Sequence, residues 1–199
     1  MRDLVPALTF QISRPNWPIV FASDSEGVSS SSLGGFGVVG QAVTADRWSL
    51  TLRSGVQLAL TVSRLDGSIA HVRDPLKELK ARIPIPRLPG AVLEEDRLWV
   101  PMAQGRWKSN EHITLTEGRA TNILLQRLAL IPGAHGKRHI SLCDNLGWCA
   151  ASAKGRSPAY GLNQLLRRRA AILVASDMQV LHPWVDTHRM PAESLSREV

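Results

Sequence analysis

Apolar and polar positions alternate cleanly in the first readable element of the chain. Strand periodicity over residues 19–24 sets Val20, Ala22 and Asp24 on one face and Ile19, Phe21 and Ser23 on the other, so an apolar strand ends in a carboxylate. A small-residue loop, 27–32, separates it from a second strand over 34–43, where glycines stand at positions that permit close backbone approach. The pair predicts a hairpin with a long serine tip. Periodicity weakens over 44–110. Short strands are predicted at 48–52 and 56–62, one or two helical turns at 76–81, a proline-rich connector at 83–90 and an edge strand at 97–102. The region reads as an insertion or extension within a single domain spanning 1–199.

The pattern then changes period. Over 112–131, Ile113, Glu117, Ala120, Leu124, Leu128 and Ile131 recur at steps of three and four, which predicts a helix with a carboxylate in its apolar stripe. Residues 138–145 return to strand alternation, with Ile140, Leu142 and Asp144 on one face. A second strand thus ends in an aspartate. Asn145 is placed to cap a short helix running to 153, and Ser157-Pro158-Ala159 opens another over 159–176, expected to bury Leu162, Leu166, Ala170 and Leu173. A last strand is predicted at 179–185, followed by a terminal turn that contains Glu193.

Composition sharpens this picture in two ways. A chain of 199 residues, 44% hydrophobic and 21% charged, has enough apolar material for one domain with a sizeable core, which excludes disorder throughout. The net charge of +7 favours an anionic partner, nucleic acid being the commonest for a basic protein. Cys143 and Cys149 are spaced too widely for a paired zinc knuckle and read as reduced thiols with a packing role. No apolar run approaches the ~20 residues of a membrane span and the N-terminus lacks a signal-peptide core, so no membrane association is expected. The expected location is intracellular, cytoplasmic or nuclear, and not secreted.

The candidate chemistry lies in the acids. Asp24 and Asp144 stand at strand ends, Glu117 on an inward helix face, and Glu193 at the C-terminal turn. If the two strands are neighbours, their carboxylates meet at one sheet edge and the helix aims Glu117 at them. Such a cluster is repulsive without cations. Hard oxygen ligands suit Mg²⁺ or Mn²⁺, and two ions ~3.5–4 Å apart activate water and stabilise a leaving phosphate oxygen. A strand-ending aspartate serving as a cap, and an inward glutamate answering an arginine, are the alternatives.

The motifs Phe21-Ala-Ser-Asp-Ser-Glu-Gly27, Trp107 with Glu111-His-Ile-Thr-Leu-Thr-Glu-Gly-Arg-Ala120, Leu142-Cys-Asp-Asn145, Lys154-Gly-Arg-Ser-Pro158, Leu162-Asn-Gln-Leu-Leu-Arg-Arg168 and Met190-Pro-Ala-Glu-Ser-Leu-Ser-Arg197 are in a telling order. They resemble the ribonuclease H superfamily, and more closely the ribonuclease H domains of reverse-transcriptase-bearing retroelements of the DIRS-like group. The resemblance implies an α/β (α+β) fold, a mixed sheet of about five strands with helices on both faces. It implies hydrolysis of RNA paired to DNA, with Asp24 bridging two metal ions, Glu117 and Asp144 holding one, and Glu193 helping to hold the other. A polymerase domain of the same polyprotein is the implied partner besides the hybrid. Where the family ends in an aspartate, this chain has Glu193, one methylene longer.

Secondary candidates follow. Lys154, Arg156, Arg167 and Arg168 form the densest basic region. Arg167 and Arg168 are expected to point away from the apolar stripe towards phosphate or solvent, and Arg169 to lie near the stripe. Asn145 is placed either to bond a sugar hydroxyl or to cap its helix. His182 and His188 precede Glu193, where ribonuclease H enzymes often carry a histidine that assists product release; a structural or surface role is the alternative. Trp148 is expected in the core, with stacking near substrate the alternative, and Glu26 in a turn, with a place next to the metal the alternative. Two other readings keep the fold: a nucleic-acid-binding module with impaired catalysis, and a transposase- or integrase-like core.

Overall fold

A computed structural model of the chain describes residues 14–27, 34–65 and 99–198. Among these residues five strands form one mixed sheet: β1 (Asn16–Ser25), β2 (Gly35–Ala42), β3 (Val100–Arg106), β4 (Arg138–Leu142) and β5 (Gln179–Leu181). Their order is β3-β2-β1-β4-β5. The β1–β2 and β2–β3 pairs are antiparallel, whereas β4 runs parallel to both β1 and β5. Pro101 lies in β3, an edge strand, where its missing N–H costs the ladder little. Gly34, at φ +72°, closes the β1–β2 connection, with Glu26 N–H donating to Gly35 O at 2.9 Å.

Helices cover both faces, as expected. On one, α1 (Ala45–Leu65) packs Trp48 against Val20, Ala22, Ile140 and Leu142. On the other, α2 (Ile113–Ala129) lays Leu124 and Leu128 on Phe21 and Val38, backed by α4 (Tyr160–Ala175). The alternation predicted for β1 therefore divides between two cores. A third apolar cluster joins α1, α4 and α3 (Leu146–Lys154), with Trp148 fully buried within it. The short α5 (Glu193–Arg197) lies over β2 and β1. Gly37, opposite Asp24 in the ladder, makes that approach possible: a Cβ there would stand 2.9 Å from Ala192 O, Leu195 Cβ and Ser196 N.

Four expectations need correction. The strands predicted at 48–52 and 56–62 are a single helix, α1, in which Trp48, Thr51, Gly55, Leu58 and Val62 are buried while Leu50 and Val56 face outwards. Those buried positions step by three and four, whereas Trp48-Ser-Leu-Thr-Leu52 and Val56-Gln-Leu-Ala-Leu-Thr-Val62 also alternate as a strand would. Thr51 Oγ1 donates to Arg47 O at 2.8 Å and Ser54 Oγ to Leu50 O, so their hydroxyls are satisfied within the helix. The edge strand expected at 97–102 lies further along, at Val100–Arg106. In α4 the buried residues are Leu162, Leu165 and Leu166, and Ala170 is exposed. The last strand stops at Leu181 because Pro183 lacks an N–H, yet pairing resumes beyond it: Cys143 N–H donates to Pro183 O at 3.2 Å and Val185 N–H to Cys143 O at 3.1 Å. The predicted turns at 76–81, the connector at 83–90 and most of the 27–32 loop lie outside the described residues.

Candidate metal centre

Parallel neighbours end on the same side, so β1 and β4 deliver Asp24 and Asp144 to one edge of the sheet. Asp24 is buried at 5% exposure, facing α5, where Ser196 Oγ donates to its Oδ2 at 2.5 Å. Asp144 follows β4 and accepts a hydrogen bond from the Thr187 side chain. Trp184 Nε1 donates to the Asp144 carbonyl at 2.7 Å and holds that backbone in place.

Glu117 arrives from the first turns of α2, which His112 caps by accepting from Thr114 N–H. The next residue, Gly118, lies so close to Trp148 that a Cβ would stand 2.8 Å from the ring. That contact seats the helix and carries Glu117 inwards to 2% exposure, where its Oε1 accepts from Ser25 N–H at 3.1 Å. Ser25 Oγ in turn accepts from Trp107 Nε1 at 3.0 Å. The terminal turn adds Glu193, paired with Arg197 at 2.5 Å. Asp24, Glu117, Asp144 and Glu193 line a single pocket of about 320 Å³, together with Ser25, Glu26, Gly27, Ile113, Asn145, Thr187 and Arg197.

The electrostatics are those of an uncompensated cluster. Burial raises Asp24 from 3.8 to about 6, against the Ser196 hydrogen bond, and the charges of Asp144 and Glu193 add to the rise. Burial also pushes Glu117 well above the carboxylate range, with further repulsion from Cys143, Asp24 and Asp144. Asp144 is raised for the same first reason, with Thr187 opposing. Among the described residues no ion pair reaches these three acids. The Glu111 carboxylate near the start of α2 shows the contrast: Arg119 clasps it at 2.6 and 2.7 Å and holds it below its ordinary value. Buried like charges without cations fit a cation-binding site.

Glu117, Cys143 and Asp144 place ligand atoms within 4.8 Å of one another, a group able to hold a metal ion. Their carboxylate oxygens, with Asp24 beside them, also suit a hard divalent ion. The expected packing role of the cysteines accounts for Cys149; Cys143, also wholly buried, stands beside the acids as well. Sequence reasoning missed Cys143, Ser196 and Thr187 at this site. Strand alternation held the clue to the first, since the residue before Asp144 must face the opposite side, where α2 lies.

The other predicted site residues disperse. Asn145 lines the pocket and caps α3, its Oδ1 accepting from Trp148 N–H at 2.9 Å. Lys154 and Arg156 lie at the far end of α3, and Arg167 and Arg168 on the exposed face of α4; none of the four lines the pocket. Arg169 turns inwards as expected, Nη2 donating to Val180 O at 3.0 Å. His188 is exposed and borders the neighbouring groove beside Glu193. His182 is buried away from the acids, its ring bonded through Nδ1 to Ser141 O, and burial drives it down to about 3. The structure does not bring His182 to the site.

No protein-family model matches the sequence, and no curated protein or solved structure matches it. No helix among the described residues is long and apolar enough to cross a membrane.

Proposed function

We propose that the chain is a ribonuclease H-type endonuclease that hydrolyses the RNA strand of RNA–DNA hybrids, in the setting of retroelement reverse transcription, using two Mg²⁺ or Mn²⁺ ions. One observation carries the reading: four carboxylates from β1, α2, β4 and α5 converge on one open pocket, and three of them are raised by burial with no ion pair among the described residues. The motif order that resembles the ribonuclease H superfamily supplies the substrate class. In that reading Asp24 is the ligand shared between both ions, Glu117 and Asp144 complete one position and Glu193 the other. Bound divalent ions would supply charge to activate water and to stabilise the leaving phosphate oxygen.

The chain's own groups prepare the pocket. Ser196 and Ser25 fix the orientation of Asp24 and Glu117 through the hydrogen bonds that they donate, so neither carboxylate must reorganise as the substrate arrives. The basic side chains Lys154, Arg156, Arg167 and Arg168 are assigned to phosphates distant from the scissile bond, where they add affinity without sequence preference. His188, beside Glu193, is retained as the candidate for product release.

One observation favours a second reading, a binding module with impaired catalysis. Arg197 neutralises Glu193 at 2.5 Å, so the residue that departs from the family pattern is already engaged. A single experiment separates the two. The protein is incubated with an RNA–DNA hybrid, duplex DNA and duplex RNA, with Mg²⁺, Mn²⁺ or chelator. Metal-dependent cutting confined to the hybrid's RNA, abolished in Asp144→Asn with hybrid binding retained, is expected. Binding without cleavage in either metal overturns the hydrolytic reading in favour of the module, and cutting or strand transfer on duplex DNA favours the integrase-like one.

A further inference from the structure

Beside the acid pocket, behind Glu117, lies one donor that a hard-ion hydrolytic centre does not use. Cys143 Sγ lies 4.0 Å from Glu117 Oε2 and 3.8 Å from the Asn145 carbonyl, and its ligand distances to Glu117 and Asp144 are all within 4.8 Å. Glu117 points independently to a cation at this spot. Only 2% exposed, its carboxylate meets one backbone N–H and this thiol, and no ion pair among the described residues. A buried carboxylate so placed costs stability until positive charge reaches it.

The kind of ion follows from the sulfur. Mg²⁺ takes oxygen and leaves thiols alone, whereas Zn²⁺ and Cd²⁺ accept thiolate and carboxylate together. A tetrahedral ion ~2.3 Å from sulfur and ~2.0–2.2 Å from oxygen sets those two donors ~3.5–3.7 Å apart, which Cys143 Sγ and Glu117 Oε2, 4.0 Å apart, would reach with an adjustment of ~0.5 Å. Cys149 is not available in the same way, because its thiol is turned to the Cys143 carbonyl at 3.8 Å.

Building on the reading of this pocket as a metal centre, we propose that Glu117, Cys143 and Asp144 form a thiophilic position that takes a Zn²⁺-class ion through one thiolate and two carboxylates, with its fourth coordination site open to the pocket. The thiol proton leaves to solvent as the metal–sulfur bond forms. An ion held there draws on Glu117 and Asp144, which the hydrolytic centre also needs. It therefore blocks hybrid cleavage rather than substituting for Mg²⁺.

The test reads the metal–sulfur bond directly. Titrating the full chain with Cd²⁺ is expected to raise a thiolate-to-cadmium charge-transfer band that saturates at one ion per chain. Cys149→Ser keeps the band. Cys143→Ser and Cys143→Ala, each checked for folding by circular dichroism, lose it and bind Cd²⁺ at least ~10-fold more weakly. X-ray absorption of the Zn²⁺-loaded wild-type chain needs no variant, and is expected to show one sulfur at ~2.3 Å beside oxygen neighbours. A shell of oxygen and nitrogen alone, or a cadmium band that survives Cys143→Ser, overturns the proposal. The two readings fail separately: a chain that shows the band but cuts no hybrid overturns hydrolysis alone, and one that cuts hybrids without the band overturns the thiophilic position alone.

Discussion

Two pockets among the described residues bury charged groups, and they differ in sign and size. At the ends of β1 and β4, acids line a space of about 320 Å³. Beneath α3, a cavity of about 30 Å³ is lined by Arg169, His182, Ser152 and Cys149. Burial shifts both sets towards their neutral forms: Asp24 rises to about 6, while His182 falls to about 3 and Arg169 to about 10. In the small cavity, Arg169 Nε, His182 Nε2 and Ser152 Oγ are buried without a hydrogen-bond partner among the described residues, in a volume that suits about one water molecule. The acid pocket is ten times larger and open, so its charge is accessible to ions and substrate. Buried charge marks a ligand site where the pocket has room for the ligand; in the small cavity it ties α4 to β5 instead.

The acid pocket is most sensitive at Asp24. Asp24→Asn is expected to reduce hybrid cleavage by at least ~10²-fold, since the residue is assigned to both metal positions. The same change should raise the stability of the metal-free chain at neutral pH by about 2 kcal/mol, because it removes a carboxylate whose ionisation burial opposes. Chemical denaturation reads this gain; a loss of stability would mean that the acid pocket is not held under electrostatic strain.

Gly37→Ala attacks the geometry rather than the charge. Its Cβ would press on α5 at 2.9 Å, moving Ser196 and Glu193 away from Asp24. A cost of about 1–3 kcal/mol is expected, with loss of cleavage activity. Unchanged melting and turnover would show that α5 does not need its close seat on β2.

The two pockets should also respond oppositely to pH. Asp24's folded value of about 6 exceeds its ordinary 3.8, so its contribution to stability is present at low pH and lost as pH rises through that window. His182, at about 3 in the folded chain against 6.5 ordinarily, contributes stability that is present above 6.5 and lost as pH falls towards 3. Over pH 4–6 the two slopes oppose each other. Melting curves of metal-free Asp24→Asn should therefore rise more steeply with pH than wild type, and those of His182→Gln less steeply. Added Mg²⁺ should counter the wild-type loss at the upper end. Parallel curves for all three proteins would contradict the contrast between the pockets.

The smallest effect is expected on the exposed face of α4. Arg167→Gln and Arg168→Gln should each lower the salt dependence of hybrid binding by ~1 in log–log slope if the residue contacts phosphate, with no change in metal binding.

Much of the scaffold could be read from local pattern alone. The alternation of Val20 and Phe21 between two faces, the stripe of Ala120, Leu124 and Leu128, the Asn145 cap and the strand-ending acids all follow from the fixed periods of strands and helices. Local pattern misled where one stretch fits two periods. The sequence of α1 alternates over 48–52 and 56–62 as a strand would, although burial at steps of three and four makes it a helix against the sheet. Pro183 likewise ended β5 early without ending its pairing to Cys143.

Local sequence assigns which side chains could do chemistry and which face of its element each occupies. Tertiary structure decided their company. The parallel pairing of β1 with β4 put Asp24 and Asp144 at one edge, and the close approaches at Gly37 and Gly118 brought Glu193 and Glu117 to them. Tertiary packing also buried His182 away from the acids and set the Cys143 thiol beside Glu117. Periodicity constrains direction within one element, whereas distance between elements depends on strand order and on how closely backbones pack. Only the folded chain settles those two.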